Sequence, residues 1–324
     1  MTAAFGGPLF AATPTSDMWT SLLRFWSFSD PSVRTATLAM ICLGVVCGSL
    51  GSLVVLRRES LLGDSLGHAV LPGICVGFLV TQTKHAGWIF AGALGSALLA
   101  SGLISVLPRL TRLKPDAVMG LVLSAFFGFG ALLLSRLQKL PSGSQSGLNQ
   151  VLFGQAAAIS ESDLTWIAVS AAVIVAVLLI GFKEWTLVSF DPGFAVGLGR
   201  PVAAMQMGLA LMLAVAVVIS VQAVGVVLLS ALLVTPAATA RLLTRRMWTM
   251  LLTAVVIACG SGTLGLNLSY LDPRLPTGPF VVLVAAVVFA VVWLFAPGTG
   301  FVWSIASPTT ASREPVRSGS KVGG

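Results

Sequence analysis

The chain has 324 residues, 56% of them hydrophobic and only 9% charged, with a formal net charge of +8. A mean hydropathy of +0.97 lies far above the range of soluble domains, so composition excludes a soluble enzyme and calls for a polytopic membrane protein. The positive charge then reads as topology and contact with anionic lipid, not as nucleic-acid binding.

In chain order, residues 1–34 form a short arm in which WTSLLRFWSF can lie along a membrane interface through Trp and Phe. The opening MTAAFGGPLF carries no basic leader, so a cleaved signal peptide is not expected. Nine apolar runs of spanning length follow, at about 35–56, 60–82, 87–107, 117–136, 163–182, 203–220, 224–242, 250–271 and 279–297. The sixth and seventh share a long uncharged stretch, which predicts a very tight turn near Val221–Gly225. Between the fourth and fifth, a Ser/Gly-rich connection precedes a possible re-entrant or interfacial helix. The transmembrane domain is therefore placed at 35–300, followed by a disordered tail at 301–324 that is rich in Ser, Thr, Pro and Gly.

With nine spans, 13 of the 19 basic residues fall on one side, among them Arg57, Arg58, Arg109, Arg200, Arg241 and Arg246. The positive-inside bias puts that side in the cytoplasm, the amino terminus outside and the carboxyl terminus inside. Cys42, Cys47, Cys75 and Cys259 all fall in apolar runs without CxxC spacing, and read as small packing residues. Glycines spaced four apart (Gly44 and Gly48, Gly63 and Gly67, Gly73 and Gly77) predict close helix contacts. GSGTLG at Gly260–Gly265 imitates a dinucleotide fingerprint but sits inside an apolar span with no preceding strand, and is rejected. No GxxxxGK[ST] loop is present, so ATP hydrolysis by the P-loop route is not expected of this chain.

The second span carries the chemistry. Asp64 and His68 stand four residues apart, which places carboxylate and imidazole on one helical face. A charged group inside a bilayer costs about 2.5–3.5 kcal/mol on insertion scales, and this pair makes a half-site for a divalent metal. A helix starting near Ser60 would set His68 near mid-membrane. Pro72, one turn on, can kink the helix and free a carbonyl. Two ligands are too few for a transition metal, and a two-fold homodimer would double them. The competing reading is a neutral His68 hydrogen-bonded to Asp64 for packing alone. Gln206, Gln222, Asn267 and Ser230 either line a route or bond neighbouring helices. Thr235-Pro236 breaks or kinks the seventh span, as a moving or a static feature. His85 reads as a solvated loop histidine before an ion ligand.

The motif RRESLLGDSLGHAVLPG resembles the second-span signature of the membrane permeases of manganese, zinc and iron ABC importers. Five further blocks agree in the same order: MGLVLSAFFGFGALLLS, VLFGQAAAIS with SDL, FDPGFAVGLGRPV, VQAVGVVLLSALLVTPAATARLL and LSYLDPRLPTGPFVVLVA, together covering about 40–295. The resemblance implies an all-α membrane bundle of the metal-cation/cobalamin-like permease type, moving divalent manganese, zinc or iron inward by alternating access. It implies a homodimer or a pseudo-dimer with a paralogous permease, a separate cytoplasmic ATP-binding subunit and an extracytoplasmic metal-binding protein. No permanently bound cofactor is expected.

Asp64 and His68 match the acidic and histidine positions of the family's metal pathway. FDPGFAVGLG, with Phe190, Asp191, Pro192, Phe194 and Gly199, is similar to the segment that docks on the ATPase. Asp191 can cap a short helix with Pro192 at its first position, leaving Phe190 and Phe194 as apolar anchors. An ordinary amphipathic connector is the alternative for this segment. Pro72, Thr235 and Pro236 are the candidates for kinking or gating. Departures are Gly67, where the family commonly has Ser, and Gln155, where a smaller polar residue is expected. A secondary metal/proton transporter and an ABC permease for a metal chelate are the alternative functions. An intramembrane hydrolase is rejected for want of HExxH or a second intramembrane aspartate.

Overall fold

A computed structural model of the protein describes residues 31–81, 86–137, 159–270 and 277–296, and every regular element among them is a helix. In order these are α1 (Pro31–Leu56), α2 (Leu62–Thr81), α3 (Ala86–Leu110), α4 (Pro115–Leu137), α5 (Glu161–Ile180), α6 (Phe182–Phe190), α7 (Pro192–Gly197), α8 (Val202–Val224), α9 (Val226–Leu243), α10 (Met247–Tyr270) and α11 (Thr277–Phe295). Nine long helices thus follow the nine apolar runs among the described residues. Eight are long and apolar enough to cross a bilayer, and α9 contributes a shorter apolar segment, Leu228–Leu243. The chain is an all-α, multi-pass membrane protein. The interfacial stretch WTSLLRFWSF, the connection 138–158, Lys84, His85, Arg274 and the tail lie outside the described residues.

Helices α1, α2 and α9 form the centre. Met40, Leu50, Leu66, Val70, Leu229, Leu232 and Leu233 are all buried there. At the perimeter Leu283, Val287 and Val291 of α11 are exposed, as suits an element whose solvent is lipid. Association in lipid depends on close approach, and α2 achieves it through glycine on two sides. A side chain at Gly63 would strike Leu233 of α9, and one at Gly67 would meet Val226 Cγ1 at 2.8 Å. On another side, a Cβ at Gly73 would lie 2.6 Å from Ser96 Cβ of α3, and one at Gly77 would lie 2.6 Å from the Trp88 carbonyl. Ser96 Oγ donates to the Ala69 carbonyl at 2.5 Å across this contact. On a third side Ser65 Oγ donates to the Met119 carbonyl of α4 at 3.1 Å, and Leu71 fills the space beside Gly130.

Most intramembrane hydroxyls fold back on their own helix, which satisfies them without an outside partner. Thr37 donates to Val33 O at 2.7 Å, Ser52 to Gly48 O at 2.8 Å and Thr239 to Thr235 O at 2.7 Å. The four cysteines are free thiols within the spans, as their spacing predicts.

The ends of the bundle differ in charge. Arg109 at the end of α3 reaches Gln206 in the first turns of α8 at 3.3 Å, and Arg241 at the end of α9 donates to Val55 O of α1 at 3.3 Å. Chain connectivity brings ten of the twelve described Lys and Arg residues to this end, leaving Arg34 and Arg136 to the other. Two helices finish here on the same six-residue device. At the end of α7, Gly199 (φ +73°) sends its N–H to Val196 O, and Arg200 sends its own to Ala195 O. At the end of α1, Arg58 (φ +61°) sends its N–H to Val55 O and Glu59 to Val54 O. Glycine is the usual occupant of this left-handed position; an arginine there costs about 1–2 kcal/mol.

The expected tight turn between the sixth and seventh spans is a single residue, Gly225 (φ +85°), which joins α8 directly to α9.

These contacts predict a contrast along α2 and α3. Gly73→Ala should destabilise the folded protein by about 1–3 kcal/mol through overpacking. Gly95→Ala, whose Cβ meets nothing within 4 Å, should leave the thermal melting temperature in detergent unchanged.

Candidate functional site

Asp64 lies in the first turn of α2 and His68 one turn later. Gly63 and Gly67, each one residue before them, turn inward against α9, and the pair occupies the face left open. His68 Nε2 stands 3.6 Å from Asp64 Oδ1, with the side chains 29% and 38% exposed respectively. That separation is longer than a hydrogen bond. The geometry therefore differs from the packing pair weighed above: neither group is buried, and neither saturates the other. His68 also meets Phe127 of α4 edge-on, with ring centroids 5.0 Å apart and planes at 78°. This contact restrains the ring from a helix that spacing along the sequence could not connect to it.

The start of α2 differs from expectation. Because α2 begins at Leu62 and not near Ser60, Asp64 and His68 lie about 3 and 9 Å along its axis at 1.5 Å per residue. The reason is the turn 57–61, which delays the helix. The placement also serves the carboxylate, since the first turn of a helix carries positive partial charge, worth about 0.3–1 kcal/mol to an anion. Pro72 lies inside α2. Having no N–H, it withdraws the usual helical donor from the carbonyl of His68 itself, leaving an oxygen beside the pair.

The other polar candidates separate. Gln206 accepts from Arg109 at the charged end. Asn267 is buried in α10 with its amide nitrogen unpartnered among the described residues. The side chains of Gln155 and Gln222 lie outside the described residues. Helix α9 runs unbroken through Thr235 and Pro236, so no break occurs there. Among the described residues no group of three or more His, Cys, Asp or Glu could hold a metal. Asp64 and His68 offer two side-chain donors, where a divalent transition metal takes four to six ligands.

The α6–α7 segment shows how the sequence FDPGFAVGLG folds. Asp191 Oδ1 accepts the Phe194 N–H at 2.9 Å and Pro192 holds the first helical position of α7, where its missing N–H costs nothing. Ala195 is buried beneath, while Phe190, Phe194, Val196 and Leu198 are exposed. Arg200 ties the end of the segment to Glu184 of α6 at 2.9 Å. The result is a small braced platform with four apolar side chains turned outward at the charged end.

The profile of the ABC 3 transport family matches residues 29–296. The manganese transport system membrane protein MntC of Bacillus subtilis is 42% identical over 270 residues, 83% of this chain. That match spans 62% of the length of the Bacillus protein. The zinc transport system membrane protein TroC of Treponema pallidum is 38% identical over 278 residues, 86% of this chain and 93% of its own. Among solved structures, PsaBC from Streptococcus pneumoniae in complex with Fab superposes with a TM-score of 0.75 at 28% identity, covering 90% of this chain and 99% of that one.

Two outcomes follow from the local geometry. Gly67→Ser should cost about 1 kcal/mol through contact with Val226 and be relieved by Val226→Ala, read as melting temperature in a double-mutant cycle. Asp191→Ala should remove the cap of α7, worth about 1 kcal/mol, and speed amide exchange at Phe194.

Proposed function

The chain belongs to the ABC 3 transport family, and we propose that it is the permease subunit of an ATP-driven importer of divalent manganese or zinc. The observation that carries the reading is the open Asp64–His68 pair, a carboxylate and an imidazole held 3.6 Å apart on one face of a central helix. Iron(II) suits the same donors. Affinity order alone favours zinc, so the binding protein that delivers the ion does much of the selecting.

The permease works as a dimer, a homodimer or a pairing with a paralogous chain. Two copies around a two-fold axis bring two carboxylates and two imidazoles to one path, with the carbonyls freed by Pro72 nearby. A site built across an axis is made and unmade by motion of the two halves, which suits a cargo that must be released. Phe127 holds the imidazole in place during the approach of the ion.

The concentration of basic residues at the α6–α7 end supports a cytoplasmic position for that end, with the amino terminus outside the cell and the carboxyl terminus in the cytoplasm. There a separate ATP-binding subunit docks on Phe190, Phe194 and the surface of α7, and Gly199 lets the chain turn back into α8. ATP-dependent closure of two such subunits drives alternating access, while an extracytoplasmic metal-binding protein loads the other side. Engagement of metal biases the ATPase in return. The pair itself suits a proton-coupled carrier as well, but no feature beyond the pair favours that reading.

In vesicles holding the permease, its ATP-binding subunit and the binding protein, Asp64→Asn and His68→Ala should each abolish uptake of radioactive manganese and zinc. Dimer formation and ATPase assembly should persist in both variants. Unaltered uptake in both would show that the ion passes elsewhere.

A further inference from the structure

The turn joining α1 to α2 and the end of α6 face each other across a cleft of about 450 Å3 at the charged end of the bundle. Arg57, Arg58 and Glu59 line one wall, Ser189 and Phe190 the other, and Arg241 closes it. Arg57 is paired with Glu59 at 3.0 Å. Arg241 spends one N–H on the Val55 carbonyl at 3.3 Å, a partner that leaves its charge uncompensated. Arg58 makes no ion pair among the described residues. The cleft therefore holds two guanidinium charges in excess, in a concave site that concentrates their field.

Arg58 occupies its place against its backbone preference. The same turn at the end of α7 uses Gly199, which adopts the left-handed conformation freely. A strained residue at such a position points to a use for its side chain. The location narrows that use. The cleft lies where the central helices α1 and α9 end, at the charged end of the bundle. Phe190 belongs at once to the cleft and to the apolar platform of α6–α7, so whatever covers the platform also covers the cleft.

We infer that this cleft is a second docking point for the ATP-binding subunit, which inserts a carboxylate side chain between Arg58 and Arg241. The inference rests on the reading that α7 docks on that subunit. Guanidinium groups take carboxylates through paired N–H donors with geometric specificity that a lone apolar contact lacks. The apolar platform then supplies contact area, and the cleft supplies register.

The test uses the full chain in lipid nanodiscs and its ATP-binding subunit, with association measured across ionic strength. Arg58→Gly should leave the melting temperature unchanged or higher, because glycine relieves the left-handed turn, yet weaken association several-fold. Combined with Arg241→Gln, it should weaken association about tenfold or more and flatten its salt dependence. In an otherwise unaltered chain, Ser189→Cys should react with a membrane-impermeant maleimide about tenfold more slowly once the subunit is bound; the native thiols lie within the spans. Undiminished association in both arginine variants, with Phe194→Ala still weakening it, would overturn the cleft and leave platform docking intact. Undiminished association in all three would overturn both. A loss seen only in nanodiscs containing phosphatidylglycerol, and absent in phosphatidylcholine, would make the occupant a lipid phosphate and also overturn the inference. Unchanged Ser189→Cys labelling on binding would do the same.

Discussion

Close approach of helix backbones at α2 is the constraint on which the rest of the bundle depends. Lipid gives no hydrophobic reward for bringing two apolar helices together, so contact has to come from dispersion and shape. Gly63 and Gly67 bring α9 against one side of α2, Gly73 and Gly77 bring α3 against another, and Gly130 receives Leu71 on a third. Once three sides are filled, one stripe remains, and Asp64 and His68 are on it. The polar pair is thus positioned less by its own bonds than by the absence of side chains next to it. Gly67 illustrates the point: its missing side chain leaves room for Val226 of α9 beside the pair.

Much of this was legible in the sequence because membrane proteins obey strong one-dimensional rules. Backbone groups cannot go unpaired in hydrocarbon, so each long apolar run had to be a helix, and nine runs gave nine helices in the same order. The cap at Asp191 and the first-turn Pro192 were readable for a similar reason, since both depend on neighbours two or three residues away. The i, i+4 relation of Asp64 to His68 is local as well. What could not be read depends on contacts between distant segments. Phe127 reaches His68 only because α4 packs on α2, and nothing in AFFGFG marks that ring over its neighbours. Helix α2 starts at Leu62 and not near Ser60 because the turn before it closes on Arg58, in a conformation that favours glycine, and no glycine advertised the turn. Thr235-Pro236 reads as a break or a kink, and α9 continues through it without a break, held by surrounding helices that outweigh one missing hydrogen bond.

Polar groups are sorted by the same economy of satisfaction. Hydroxyls within the spans mostly return to carbonyls of their own helix, which makes them nearly apolar to their neighbours. Guanidinium groups gather at one end, where water and helix C-terminal carbonyls receive them. Asp64 enters a packed helix in the first turn, where the backbone itself offers partial positive charge. Arg109, Arg136 and Arg241, in last turns, likewise sit where the helix dipole favours their charge.

Gly225 makes a mechanical link of α8 and α9. With a single residue between them, the ends of the two helices are two peptide units apart, a tether of about 7 Å at most. Helix α8 rises from the braced platform of α6 and α7, while α9 begins at Val226, the residue pressed against Gly67. A push delivered at the foot of α8 has almost no slack to absorb it before it arrives beside His68. The protein thereby contains a short pushrod with an elbow at its far end, and the elbow bends at the one residue whose backbone is free to do so.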